Sequence, residues 1–103
     1  MTITIENNEN IRTIILNRPE KLNSVNLKMA TELNQAVNNA ANDKSVQCLV
    51  ITGNGRAFSS GGDVNEMGEH LPKAGDLFYD LTEQIHSISV SYTHLTLPTK
   101  RIV

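Results

Sequence analysis

The sequence predicts an α/β domain, and three observations carry that class. Two β-type runs, Thr2–Glu6 and Ile11–Leu16, are separated by Asn7-Asn8-Glu9-Asn10. A helical period follows from Asn26 to Asn42. An unbroken apolar run, Cys48-Leu49-Val50-Ile51, then completes a strand–strand–helix–strand order. The chain has 103 residues, which suits one small domain.

Each element has a local cause. In the first run Ile3 and Ile5 alternate with polar residues, and the Asn-rich cluster reads as the turn of a hairpin. Arg18-Pro19 ends the second run, because proline has no N–H and biases the residue before it away from helix. Glu20–Val25 reads as a loop. Asn26 is a candidate cap for a helix whose apolar positions are Met29, Ala30, Leu33, Ala36, Val37 and Ala40, with Lys28, Glu32, Gln35 and Asn39 opposite. Val46–Thr52 reads as a strand covered on both faces. Turns are expected at Gly53 and Gly55, then the small-residue loop Ser59-Ser60-Gly61-Gly62 with Phe58 packed beneath it. Asp63 and Glu66 have capping-box spacing for a short helix over Val64–Met67, and Glu66 either completes that cap or faces a pocket. Gly68–Ala74 reads as a connection. Gly75-Asp76 opens a second amphipathic helix bearing Leu77, Phe78, Leu81, Ile85 and Ile88.

Composition excludes several classes. A formal charge of −2 gives no reason to propose a nucleic-acid or anionic membrane surface. No apolar run approaches a membrane span, and the basic-then-apolar pattern of a secretory signal is absent from residues 1–30. The single cysteine, Cys48, suits a reducing, cytoplasmic setting and reads as a buried small hydrophobe. His70 and His86 have no partner pattern for a metal or a triad, so no metal is expected.

A strand feeding a glycine-containing loop and a helix start can aim backbone N–H groups at a phosphate, a carboxylate or a transient oxyanion. Gly53-Asn54-Gly55-Arg56-Ala57-Phe58 has Phe58 where a dinucleotide fingerprint needs its third glycine, and the Gly-Lys-Ser/Thr of a phosphate-binding loop is missing. Ala57 and Phe58 stand two residues before Ser59 and Ser60, where a nucleophile elbow requires glycine.

Two stretches in order, LNRPEKLNSVN (Leu16–Asn26) and VITGNGRAFSSGGDVNEM (Val50–Met67), resemble the crotonase, or enoyl-CoA hydratase/isomerase, superfamily. The resemblance runs from Thr2 to Ser89 and implies the N-terminal part of a spiral of ββα turns, truncated here. It implies an acyl-CoA substrate, whose coenzyme A is part of the substrate and not a separate cofactor. Glu20, Lys21 and Leu22 then fall in the loop that contacts the CoA end, with Lys21 as the phosphate-side cation; on residue type alone Lys21 is a solvated loop charge. Ala57, Ser59, Ser60, Gly61, Gly62 and Asp63 fall in the substrate-contacting segment. Ser60 takes the position whose backbone N–H stabilises a thioester enolate, so its hydroxyl is not needed. On residue type, Asp63 is first a helix cap and touches substrate only through its backbone. The resemblance implies hydration of a 2-enoyl-CoA or a shift of its double bond, in a homotrimer or hexamer. The second oxyanion donor and the acid–base carboxylates belong to later segments of the family's fold, so inactivity of this stretch alone is expected. The competing reading is a catalytically inert chain that binds a CoA ligand or a protein.

Residues 90–103, VSYTHLTLPTKRIV, lose the helical period. The codons GTC TCT TAT ACA CAT CTG ACG CTG CCG ACG encode Val90–Thr99 and resemble a transposase adapter used in sequencing libraries. The expected domain is therefore 1–89, with 90–103 set aside as a non-native tail. A natural strand is the alternative, since threonines and Tyr92 favour β structure.

Overall fold

The structure, a computed structural model, describes residues 1–63, 72–73, 75–77, 79–84 and the backbone of 101–102. The first element pair is the expected hairpin, β1 (Ile3–Asn8) and β2 (Ile11–Leu16), paired antiparallel from Ile3↔Leu16 to Asn8↔Ile11. Asn7 and Asn8 lie in the strand and not in the turn. Asn7 stands opposite Arg12, whose Nε donates to its Oδ1 at 2.8 Å. The turn shrinks to Glu9-Asn10, with Glu9 at φ 56°, the positive φ that tight hairpin turns need.

A 3-10 turn (Pro19–Lys21) leads into α1 (Leu27–Asn42). The Asn26 side chain caps α1 by accepting from the Met29 N–H at 2.9 Å. The buried residues of α1 are the six apolar positions of the sequence pattern, Met29, Ala30, Leu33, Ala36, Val37 and Ala40. They pack with Ile3, Ile14, Leu16, Val25, Val46 and Leu49 into one core. Glu32 is half-buried instead of solvated, because its carboxylate accepts from the backbone N–H and the hydroxyl of Thr2. Burial works to raise the Glu32 pKa, but the two Thr2 donors, the N-terminal charge and Lys28 outweigh it and the net shift is downward.

α1 returns the chain to β3 (Cys48–Gly53), parallel to β2 from Ile11↔Cys48 to Leu16↔Gly53. Val46 precedes the strand, in a turn whose N–H donates to the Asp43 carbonyl at 3.1 Å. Only Leu49 of the apolar run is fully buried. Cys48, Val50 and Ile51 are half-buried, so the expected double coverage of this strand and the expected full burial of Cys48 do not hold. Among the described residues the core lies on the face bearing Ile14, Leu16, Leu49 and Ile51, while Cys48 and Val50 fall on the opposite face of the strand. Gly53 is the last residue of β3, and the turn begins after it.

Residues 72–73, 75–77 and 79–84 are helical, here α2. Helix is thus present at Pro72 and Lys73, before the expected start at Gly75. Leu77 and Leu81 pack against the core as their spacing predicts. The short helix expected over 64–67, and Glu66, His70, Phe78, Ile85, His86 and Ile88, lie outside the described residues or side chains. Of the set-aside segment 90–103, residues Arg101–Ile102 form a two-residue strand, β4, beside Cys48–Leu49 at the edge of β3. An open strand edge offers unpaired N–H and C=O groups to any extended backbone.

Candidate functional site

The two motifs of the sequence fold into one junction. After β2 the chain turns tightly through Pro19–Lys21, and Leu22 and Asn23 follow at φ 53° and 56°. After β3 the second loop turns at Gly55, φ 91°, against Pro19. A Cβ on Gly53 would lie 2.4 Å from the Ala57 carbonyl oxygen, 2.5 Å from that of Phe58 and 2.8 Å from Asn23 Nδ2. Glycine is therefore required there for close approach, not for its φ.

Backbone bonds then join the loops side by side. The Ser60 N–H donates to the Leu22 carbonyl at 3.0 Å, Val25 to Gly61 at 2.8 Å and Asp63 to Val25 at 2.8 Å. The last two make a parallel bridge between Val25 and Gly62. In such a bridge Gly62 turns its own N–H away from Val25, and Gly62 is exposed. Side chains add to this. Ser59 Oγ donates to the Asn23 carbonyl at 2.8 Å and accepts from the Gly61 N–H at 3.1 Å. Arg18 and Asp63 form an ion pair at 3.5 Å with side chains 8% and 14% exposed. The Arg18 Nη1 also donates to the Ser24 carbonyl at 2.7 Å, and Ser24 Oγ donates to Asp63 at 3.3 Å.

The site residues expected from sequence lie on these two adjoining loops. Glu20 and Lys21 are exposed on the first loop and Leu22 is half-buried. Ala57 and Ser59 are half-buried, and Ser60, Gly61 and Gly62 are exposed on the second. Three details differ from expectation. The Ser60 N–H, expected to point at a substrate oxygen, is engaged by Leu22 O. The Asp63 carboxylate reaches back to Arg18 and Ser24, while any capping role lies outside the described residues. Phe58 is 59% exposed, because its carbonyl lies over Gly53 and the inner side of the loop is filled by the Asn23 carboxamide.

Sequence reasoning missed Arg18, Asn23 and Ser24 as site residues. Asn23 is wholly buried and every polar atom it has is used. Its signal was a residue type that tolerates φ > 0 placed just after a proline turn. Its partners on the second loop lie 31 to 36 residues away, too far for any local pattern to show.

Among the described residues no three His, Cys, Asp or Glu cluster as metal ligands, and no helix is long and apolar enough to cross a membrane.

Residues 6–91 match the Enoyl-CoA hydratase/isomerase family. The chain belongs to this family. It is 34% identical over 68 residues to a Mycobacterium tuberculosis protein named "Probable enoyl-CoA hydratase", covering 66% of this chain and 26% of that one. It is 36% identical over 90 residues to the trans-2-decenoyl-[acyl-carrier-protein] isomerase of Streptococcus mutans, covering 85% and 34%. A crystal structure of an enoyl-CoA hydratase from Mycobacterium smegmatis matches with a TM-score of 0.76 at 28% identity, over 82% of this chain and 35% of that one. The crotonase-type α/β fold expected from the two motifs is thus the fold observed, and the chain spans about a quarter to a third of the relatives it matches.

Proposed function

We infer that this chain is the N-terminal portion of an enzyme acting on acyl-CoA thioesters, by hydration of a 2-enoyl-CoA or by shifting its double bond through a stabilised enolate. The observation that supports the reading is the junction itself. The loop assigned to the CoA end (Glu20–Leu22) and the loop assigned to the thioester (Ala57–Asp63) are hydrogen-bonded side by side, so one extended ligand can touch both. The outer side of the second loop is made of small exposed residues, Ser60, Gly61 and Gly62, which let a thioester approach the backbone.

In this reading the thioester oxygen takes over or shares the Ser60 N–H that Leu22 O holds at 3.0 Å. Charge developing on that oxygen as the enolate forms makes it a stronger acceptor than a peptide carbonyl, which favours the exchange in the transition state. The second donor and the acid–base carboxylates come from the segments that longer relatives possess. Trimers or pairs of trimers complete the proposal, as the family resemblance implies, in the reducing, cytoplasmic setting that a single cysteine suits; the stretch of this chain taken as native runs to near Ser89, and the family match covers residues 6–91.

The second reading, an inert chain that binds a CoA ligand or a protein, draws on the same bond. A Ser60 N–H that stays with Leu22 cannot serve a substrate. The complete gene separates the two. Its protein should turn over a short 2-enoyl-CoA by water addition or isomerisation. Binding of acyl-CoA without turnover favours the inert reading, and neither binding nor turnover overturns both.

A further inference from the structure

Asn23 is a fully buried polar residue of the junction, and its bonds run to both loops. Its Oδ1 accepts from the Arg18 N–H at 2.8 Å, within its own loop. Its Nδ2 donates to the Asn54 carbonyl at 2.9 Å and the Ala57 carbonyl at 2.8 Å, across to the other. Two carbonyl partners fix which end of the amide is nitrogen, since a flipped group would face oxygen to oxygen. Its main chain is used as well. The N–H donates to Arg18 O at 2.8 Å, and its carbonyl accepts from Ser59 Oγ at 2.8 Å. The side chain is 0% exposed, so it touches no ligand directly.

We propose that Asn23 is a positioning residue: it sets the distance and orientation of the Ser60 segment relative to the CoA-contacting loop. This rests on the acyl-CoA reading above. The carboxamide clamps the turn that leads into Ser59-Ser60, and the Asn23 carbonyl clamps Ser59 itself. Leu22, its neighbour in the chain, holds the Ser60 N–H. One residue therefore ties the ends of the site together. Anchoring of the CoA moiety draws on the first loop alone, whereas placement of the thioester needs both. Loosening the clamp should spare ground-state binding and damage the chemical step, because a displacement of about 1 Å at the reacting centre costs about 10²-fold in rate.

The test uses the complete protein and compares wild type with Asn23→Gly, which keeps the positive φ accessible and deletes the carboxamide. Affinity for free coenzyme A is measured beside kcat and KM for a short 2-enoyl-CoA, with activity expressed per folded enzyme. The expected result is kcat lower by about 10²-fold with coenzyme A affinity and KM near wild type. Unchanged kcat overturns the proposal. So does a parallel loss of kcat and coenzyme A affinity, the mark of a merely structural role. Should Asn23→Gly not fold, Ser59→Ala decides, since it removes the hydroxyl that ties the loop to the Asn23 carbonyl and accepts from the Gly61 N–H: lowered kcat at unchanged KM supports the proposal, and unchanged kcat overturns it. A wild-type protein that neither binds nor turns over acyl-CoA removes the functional reading and this inference together. An active wild type with an unaffected variant removes the inference alone.

Discussion

Between α1 and the sheet, Ile14, Met29, Val37, Ala40 and Leu49 are wholly buried and carry no nitrogen or oxygen in their side chains. At the junction of the two loops Asn23 is buried as completely, yet three of its bonds come from its side chain. The core gains from removing apolar area from water, at roughly 25 cal/mol per Å², and tolerates changes of shape. The junction gains little net from each bond, but each polar group left unpaired costs about 1–3 kcal/mol. The first region makes the fold, and the second fixes where two loops sit. Precision in this molecule therefore resides in its buried polar groups.

The largest expected effect is at the junction. Arg18→Met should destabilise the complete protein by about 3–5 kcal/mol, because it leaves the Asp63 carboxylate without its guanidinium partner in a nearly dry site. Arg18→Met combined with Asp63→Leu should recover much of that loss, as it also removes the buried carboxylate that has lost its counter-charge. Denaturant titration of the two variants measures this. If the single change costs no more than a surface substitution, the pair is not holding the loops.

In the core, Leu33→Ala should cost about 2–5 kcal/mol. Leu33→Met should cost less than about 1.5 kcal/mol, since it keeps the volume. At the junction the near-isosteric Asn23→Asp should cost more than Leu33→Met, because it sets a carboxylate against the Asn54 and Ala57 carbonyls. Equal tolerance at the two sites would erase the distinction between them.

The smallest effect concerns pH. Asp43 is held at a pKa of about 2 by the Ser45 hydroxyl and N–H, with Arg12 adding to it, against an ordinary value of 3.8. A lowered folded-state pKa means its contribution is full above 3.8 and is lost as pH falls toward 2. Glu32 is lowered as well and acts in the same direction. A carboxyl NMR titration should find Asp43 still largely ionised at pH 3, whereas a midpoint near 3.8 would show that the Ser45 and Arg12 bonds do not form.

What was legible in the sequence follows the same division. α1 was readable residue by residue, since its cap sits beside it and its apolar positions recur at 3.6. The hairpin was readable, but its turn was drawn too wide, because Arg12 across the ladder brings Asn7 into the strand. Burial of β3 was overestimated, since an apolar run does not say how many layers cover it. The two motifs that resemble a family picked out the two loops that the structure joins into the candidate site. Its wiring was not: bonds between Asn23 and Ala57, or Arg18 and Asp63, span 34 and 45 residues and leave no periodic trace. The engagement of the Ser60 N–H by Leu22 was invisible for the same reason.

That bond makes Ser60 the most direct test. In the complete protein, kcat for a short 2-enoyl-CoA is measured for Ser60→Ala and Ser60→Pro. If the Ser60 N–H is the oxyanion donor, alanine keeps most of the activity and proline, which lacks the N–H, loses about 10²–10³-fold or more. Equal loss from both would show that the hydroxyl matters, and retained activity in folded Ser60→Pro would show that the N–H stays with Leu22 and takes no part in the reaction.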